Sequence, residues 1–267
     1  LKKTPMNKVS VAVERLSAKM LQWLSERNLG LEIDFFSLPE NLHPARLEAH
    51  LREYKAMLAD FEGVVSMHAP FYEIYPVSRE PLIEEVAQRR CAQALDVAEA
   101  LQARHIVFHA NYKPSQRADF LAFWQQRQAE FWQPFAEDMQ ARRLCGYLEN
   151  TQEETPEYLL PIVQQINSPA LRLCYDTGHS QCFTRSKIAP QHWAKAYGDY
   201  LGYIHLHTNG GQRDEHLCYT HPQGVVDFTG FFESVKQLAS PPLLIIEVKT
   251  MQCVEDSYAS LLAASWR

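Results

Sequence analysis

Nine side chains able to bind a metal ion stand at or just after the ends of short apolar runs in this sequence: His68, His109, Glu149, Asp176, His179, His205, Asp214, His216 and Glu247. Carboxylates and imidazoles without cysteine suit Mn, Mg, Co, Fe or Zn, and nothing in the sequence chooses among these ions. Such a set supports Lewis-acid chemistry: a polarised carbonyl whose neighbouring proton a carboxylate removes, or an activated water that attacks a phosphate. Any one of these residues alone is most simply a structural ion-pair or hydrogen-bonding partner. The coincidence of Glu149, Asp176, His205 and Glu247 shifts the reading to a shared divalent cation, because inward carboxylates are costly to desolvate without one.

The elements that must position these groups follow from their spacing. Positions 68, 109, 149, 176, 205 and 247 are 41, 40, 27, 29 and 42 residues apart, close to one strand plus one crossover helix and its loops. Eight strands are expected, at 9–13, 31–36, 64–68, 105–109, 145–149, 171–176, 203–207 and 243–248. Helices are expected at about 18–26, 44–61, 81–101, 117–140, 156–166, 190–197 and 229–238, several opening at a proline tolerated in a first helical turn. That alternation predicts an α/β fold, a (β/α)8 TIM barrel, as a single domain over residues 1–267. Active sites of such barrels form where strands run into helices, which is where the nine residues fall. Alternation along 204–207 adds a check, since His205 and His207 share one face and Ile204 and Leu206 the other.

Composition narrows the class further. A chain of 267 residues matches the roughly 250 typical of this barrel. No apolar run approaches the ~20 residues of a membrane helix, and no apolar signal-like segment follows Lys2 and Lys3, so the expectation is a cytoplasmic enzyme without a membrane partner. The six cysteines show no CxxC spacing and read as reduced thiols. A formal net charge of −6 gives no support to a broad basic face for nucleic acid, which is therefore disfavoured as a partner though bound cations would offset part of that charge. A homo-oligomer is left open.

Several pieces together resemble a known family: His68-Ala69-Pro70, Leu148-Glu149-Asn150-Thr151, Asp176-Thr177-Gly178-His179, His205-Leu206-His207 and Asp214-Glu215-His216. From about Val9 to Val248 the chain resembles the xylose isomerase-like barrel superfamily, which includes sugar isomerases and epimerases and abasic-site nucleases of the endonuclease IV type. The epimerase branch implies one divalent ion held by Glu149, Asp176, His205 and Glu247. There the two glutamates also act as acid and base on a small sugar, sugar acid or sugar phosphate, and His179 steadies a substrate oxygen. The nuclease branch implies three zinc ions held by all nine residues. The epimerase reading, with one ion, is preferred.

Other residues are expected to touch substrate. His68, His109, His179 and His207 are candidates, with Tyr72 as an apolar wall and Arg213 near the mouth. Phe71 and Tyr72 are also where a nuclease would wedge a base stack, but the loop Ser37-Leu38-Pro39-Glu40-Asn41 has no basic residue before Arg46 to hold a DNA backbone. The chain departs from the family pattern at Thr208, where many relatives have aspartate, and in Thr220-His221-Pro222-Gln223-Gly224, where they have Gly-x-Gly. Those changes fall in the substrate loop after strand seven.

Overall fold

Side-chain alternation along eight short parallel strands sets the architecture. The computed structural model describes residues 8–113 and 120–264. The strands are β1 (Val9–Val13), β2 (Gly30–Ile33), β3 (Val65–His68), β4 (His105–His109), β5 (Cys145–Glu149), β6 (Leu171–Asp176), β7 (Leu201–Leu206) and β8 (Leu243–Ile246). Each pairs with the next, and β8 pairs with β1, so the sheet closes into a barrel in chain order. The helices outside it are α1 (Ala18–Glu26), α2 (Pro44–Leu58), α3 (Pro81–Ala100), α4 (Phe120–Arg142), α5 (Leu160–Ile166), α6 (His179–Cys182), α7 (Pro190–Tyr197), α8 (Phe231–Lys236) and α9 (Met251–Ala263). No helix among the described residues is long and apolar enough to cross a membrane.

Two hydrophobic layers hold this shape. Outward strand residues such as Val11, Ile33, Met67, Phe108, Leu148, Leu173, Tyr175, Ile204 and Ile246 share one continuous core with Leu24, Leu95, Trp132, Trp193 and Phe231 of the helices. Inward residues Val107, Tyr147, Cys174, Tyr203 and Ile245 form a separate plug inside the barrel. Two residues further along each of these five chain segments come His109, Glu149, Asp176, His205 and Glu247. Because strand side chains repeat with a period of two, the plug carries the polar cluster directly above it.

Register brings the polar groups level. His109 pairs with Glu149 across β4 and β5, and Asp176 pairs with His205 across β6 and β7. The latter match depends on a shift in register: Leu173 pairs with Leu201 but Cys174 with Tyr203, leaving Gly202 as an extra residue. Gly202 suits that position, since a Cβ there would stand 2.6 Å from Cε1 of Tyr147.

The expected elements recur with shifted ends. The second strand stops at Ile33 rather than Phe36, because Phe35–Ser37 turn into a 3-10 helix whose Phe35 and Phe36 rings pack 5.1 and 5.3 Å from Tyr54 of α2. Strand seven begins two residues early and ends at Leu206, and strand eight ends at Ile246, one residue before Glu247. The helix expected over 156–166 divides into a 3-10 turn at Pro156–Tyr158 and α5. Of the helix expected over 117–140, residues 117–119 lie outside the described residues. The short helix α6 and the helix α9 have no counterpart among the expected elements. Thr250 caps α9 by accepting a hydrogen bond from the Cys253 N–H, which ends the segment carrying Glu247.

Candidate metal centre

Burial concentrates charge at the carboxyl end of the barrel. Glu32, Glu149, Asp176 and His205 are each at most 1% exposed, and Glu247 follows β8 with only 14% of its side chain exposed. Nδ1 of His205 lies 3.0 Å from Oε1 of Glu149, 3.2 Å from Oε2 of Glu247 and 3.7 Å from Oδ2 of Asp176. Bonds of about 2.0–2.2 Å to one ion put neighbouring donor atoms about 3.0–3.5 Å apart, a spacing that the contacts of His205 with Glu149 and Glu247 match and that its contact with Asp176 slightly exceeds.

Two further groups adjoin the quartet. Oε2 of Glu149 is 3.2 Å from Nε2 of His68 and 3.0 Å from Nε2 of His109, the latter without hydrogen-bond alignment. On the other side, Oδ2 of Asp214 is 3.3 Å from Nε2 of His179 and 2.8 Å from Nε2 of His216. This third group is more open, with 23% of the Asp214 and 18% of the His216 side chain exposed. The loop that bears it folds back through backbone hydrogen bonds in both directions between Thr208 and Leu217. His216 sits there at φ 52°, a left-handed backbone uncommon for a residue other than glycine and found most often where surroundings force it. All nine expected residues therefore meet at one end of the barrel.

The imidazoles are oriented in the manner of metal ligands. Nδ1 of His68 meets the Ala69 carbonyl at 2.8 Å, Nδ1 of His179 the Asn150 carbonyl at 3.0 Å, and Nδ1 of His216 the Glu247 carbonyl at 3.2 Å. A ring nitrogen that donates to a carbonyl leaves the other nitrogen's lone pair for a cation. Those other nitrogens all face carboxylates. Oε2 of Glu247 and Oδ1 of Asp214 are also buried without a hydrogen-bonding partner. These buried carboxylates and imidazoles fit one or more divalent ions, and sets such as His68 with His109 and Glu149, Glu149 with Asp176 and His179, and Glu32 with His205 and Glu247 have the spacing of candidate ligands.

The metal-free electrostatics are split. Burial pushes the Glu149 carboxyl up, but the close imidazoles of His205, His109 and His179 outweigh it and hold the group well below the usual carboxylate range. At Glu247 burial prevails over His205 and His216 and raises the carboxyl. Burial lowers His68 and His216, yet Glu149 beside the first and Glu247 with Asp214 beside the second raise both to about 9.

The remaining expected residues fall around the cluster. His207 is fully buried, with Nε2 3.1 and 3.0 Å from the two Asp176 oxygens and its ring stacked 4.2 Å from His216. Tyr72 is 55% exposed and packs against Phe71, which in turn stacks 4.4 Å from His109. Arg213 is exposed beside Asp214. Lys113 and Arg185 are likewise exposed, while Lys249 donates to the Asp214 carbonyl at 3.3 Å.

Asn150 and Glu32 lie outside the expected set and touch its members directly. Asn150 ties β5 to β6 by accepting from the Asp176 N–H at 2.8 Å and donating to the Asp176 carbonyl at 3.0 Å. Glu32 lies on β2, facing His205. A signal for it exists, since Gly30-Leu31-Glu32-Ile33 sets one acidic residue in an otherwise apolar buried strand.

Comparisons with known proteins agree with this architecture. The family described as Xylose isomerase-like TIM barrel matches residues 26–265. An uncharacterized protein of Methanocaldococcus jannaschii is 26% identical over 200 residues, covering 72% of this chain and 67% of the relative. Among solved structures, a Thermus thermophilus protein soaked with ZnCl2 superposes with a TM-score of 0.80 at 23% identity, covering 97% of this chain and 98% of that one. A D-tagatose 3-epimerase-like protein gives 0.77 at 21% identity, covering 96% of each chain. The E. coli 3-keto-D-glucoside 4-epimerase gives 0.70 at 14% identity, covering 96% of this chain and 98% of that one. At these identities the superpositions establish a common fold.

Proposed function

We propose, for a chain that belongs to the xylose isomerase-like TIM barrel family, that it is a divalent-metal-dependent isomerase or epimerase of a small sugar, sugar acid or sugar phosphate. The observation that carries this reading is the placement of Glu149 and Glu247, whose carboxylate oxygens lie 3.0 and 3.2 Å from the same nitrogen of His205. An ion bound by Glu149, Asp176, His205 and Glu247 would polarise a carbonyl and its adjacent hydroxyl, acidifying the C–H between them. Glu149 comes from the end of β5 and Glu247 from the end of β8. One carboxylate then removes the proton and the other returns one to the opposite face, which inverts the carbon.

The other residues have supporting tasks. His68 and His179, oriented as described, contact substrate oxygens together with His109, and His207 steadies Asp176. Tyr72 and Arg213 form the rim, an apolar wall and a cation for an acidic or phosphorylated substrate. The names of two structural neighbours, a D-tagatose 3-epimerase-like protein and a 3-keto-D-glucoside 4-epimerase, support sugar epimerisation. The test is to incubate the metal-loaded protein in D2O with a panel of ketoses and inososes. Deuterium should appear at the carbon beside the carbonyl, with formation of the epimer. A protein with bound metal that exchanges no substrate in the panel would refute the reading.

The two groups flanking the quartet favour a second reading. His68 with His109 beside Glu149, and His179 with His216 beside Asp214, would hold two more ions in a three-zinc abasic-site phosphodiesterase. That reading calls for three ions per chain and cleavage of an abasic oligonucleotide. One ion per chain speaks for sugar chemistry.

A further inference from the structure

We infer that Glu32 is a positioning residue that fixes the His205 ring, so that Nδ1 faces the ion held in common with Glu149, Asp176 and Glu247. The inference rests on the reading of His205 as a metal ligand. Nε2 of His205 lies 3.2 Å from Oε1 and 3.3 Å from Oε2 of Glu32. Tyr203, one inward step before His205 on β7, donates its hydroxyl to Oε2 of Glu32 at 2.5 Å. The Ser66 hydroxyl lies 2.7 Å from the same phenol oxygen and 3.1 Å from the Leu31 carbonyl. Three strands, β2, β3 and β7, thereby clamp one imidazole from below.

The chemistry sets His205 apart from its neighbours. His68, His179 and His216 each anchor one nitrogen on a backbone carbonyl, whereas His205 meets a carboxylate that is fully buried. An isolated buried carboxylate is costly, and the contacts of Glu32 are a phenol and an imidazole rather than lysine or arginine. It is therefore best satisfied when His205 donates Nε2–H to it and carries positive charge from an ion on Nδ1. In return the carboxylate sets the tautomer, prevents the ring from turning over and makes Nδ1 a stronger donor. Strand β2 supplies no member of the quartet; this is its contribution to the centre.

The test compares wild type with Glu32→Gln, Glu32→Ala and Tyr203→Phe. Zn2+ and Co2+ affinities would be measured by competition titration, Co2+ absorption would report the ligand field, and histidine 15N NMR of the zinc protein would identify the protonated nitrogen of His205. In wild type His205 should carry Nε2–H and bind zinc through Nδ1. Glu32→Ala should lose about ten- to a hundredfold in affinity, with a shifted Co2+ spectrum. Glu32→Gln should recover part of that loss, since its amide oxygen still accepts from Nε2–H without the charge. If the alanine variant does not fold, the glutamine and Tyr203→Phe variants decide. Wild-type affinity and an unchanged spectrum in the folded variants would overturn the inference, as would a zinc protein lacking Nε2–H on His205. A wild type that binds no ion would instead strike down the underlying metal-site reading, and the two failures are thus distinguishable.

Discussion

A Cβ added to Gly178 would stand 2.0 Å from Cε1 of His207, so the bare backbone at Gly178 is what lets His207 lie against Asp176. The backbone of Gly178, at φ −78°, is one any residue can adopt; space alone demands glycine here. Gly178→Ala should displace His207 and destabilise the fold by about 1–3 kcal/mol, the usual cost of overpacking. Urea unfolding measures this, and metal affinity should fall with it. An alanine variant with wild-type stability and affinity would show that His207 moves without consequence.

Asn150 exchanges two hydrogen bonds with the backbone of Asp176 in a fully buried setting. Asn150→Ala would strand the N–H and the carbonyl of a residue assigned to the ion. The expected loss is on the order of 2–4 kcal/mol of stability, from unpaired buried polar groups. Metal affinity should drop as Asp176 shifts. Thermal unfolding with and without added metal reads both effects.

Glu149→Gln and Glu247→Gln each keep an oxygen donor but remove the base. Turnover and deuterium exchange should fall by roughly 10²–10⁴-fold, the usual contribution of a positioned acid or base. Either variant retaining near wild-type exchange would remove that glutamate from the chemistry.

The opposite end of the barrel supplies a pH dependence free of the metal. His105 on β4 is lowered to about 4 by burial and by Arg172, with Nδ1 2.8 Å from the Tyr147 hydroxyl. Its folded value lies below the unfolded value of about 6.5, so the unfolded chain takes up the proton first. The stability tied to neutral His105 is fully present above about pH 6.5 and is lost as pH falls toward 4. The partly exposed ring limits the effect to on the order of 2 kcal/mol. His105→Gln should flatten this acid limb in denaturant unfolding at several pH values, and an unchanged limb would refute the assignment.

Much of the site was legible because strands repeat with a period of two. Reading His205 and His207 as inward and Ile204 and Leu206 as outward needed only alternation, and all four are buried on those terms. The spacing between anchors pointed to the barrel for a different reason, since each interval holds one strand, one crossover helix and its loops. What alternation could not give is register. Gly202 shifts β7 against β6, and only that shift sets Asp176 opposite His205. Nor could it reveal a residue like Glu32, whose importance lies in a contact with His205 across 173 positions of sequence. The fold-back of the loop bearing Asp214 and His216 rests on a Thr208–Leu217 bridge with no local signature.

The central claim is that Glu149, Asp176, His205 and Glu247 share an ion, and anomalous diffraction from crystals soaked in Co2+ or Mn2+ tests it most directly. An anomalous peak should appear within bonding distance of all four side chains, and further peaks beside His68 with His109, or Asp214 with His216, would count additional ions. Crystals that take up the metal elsewhere while leaving this quartet without a peak would contradict it.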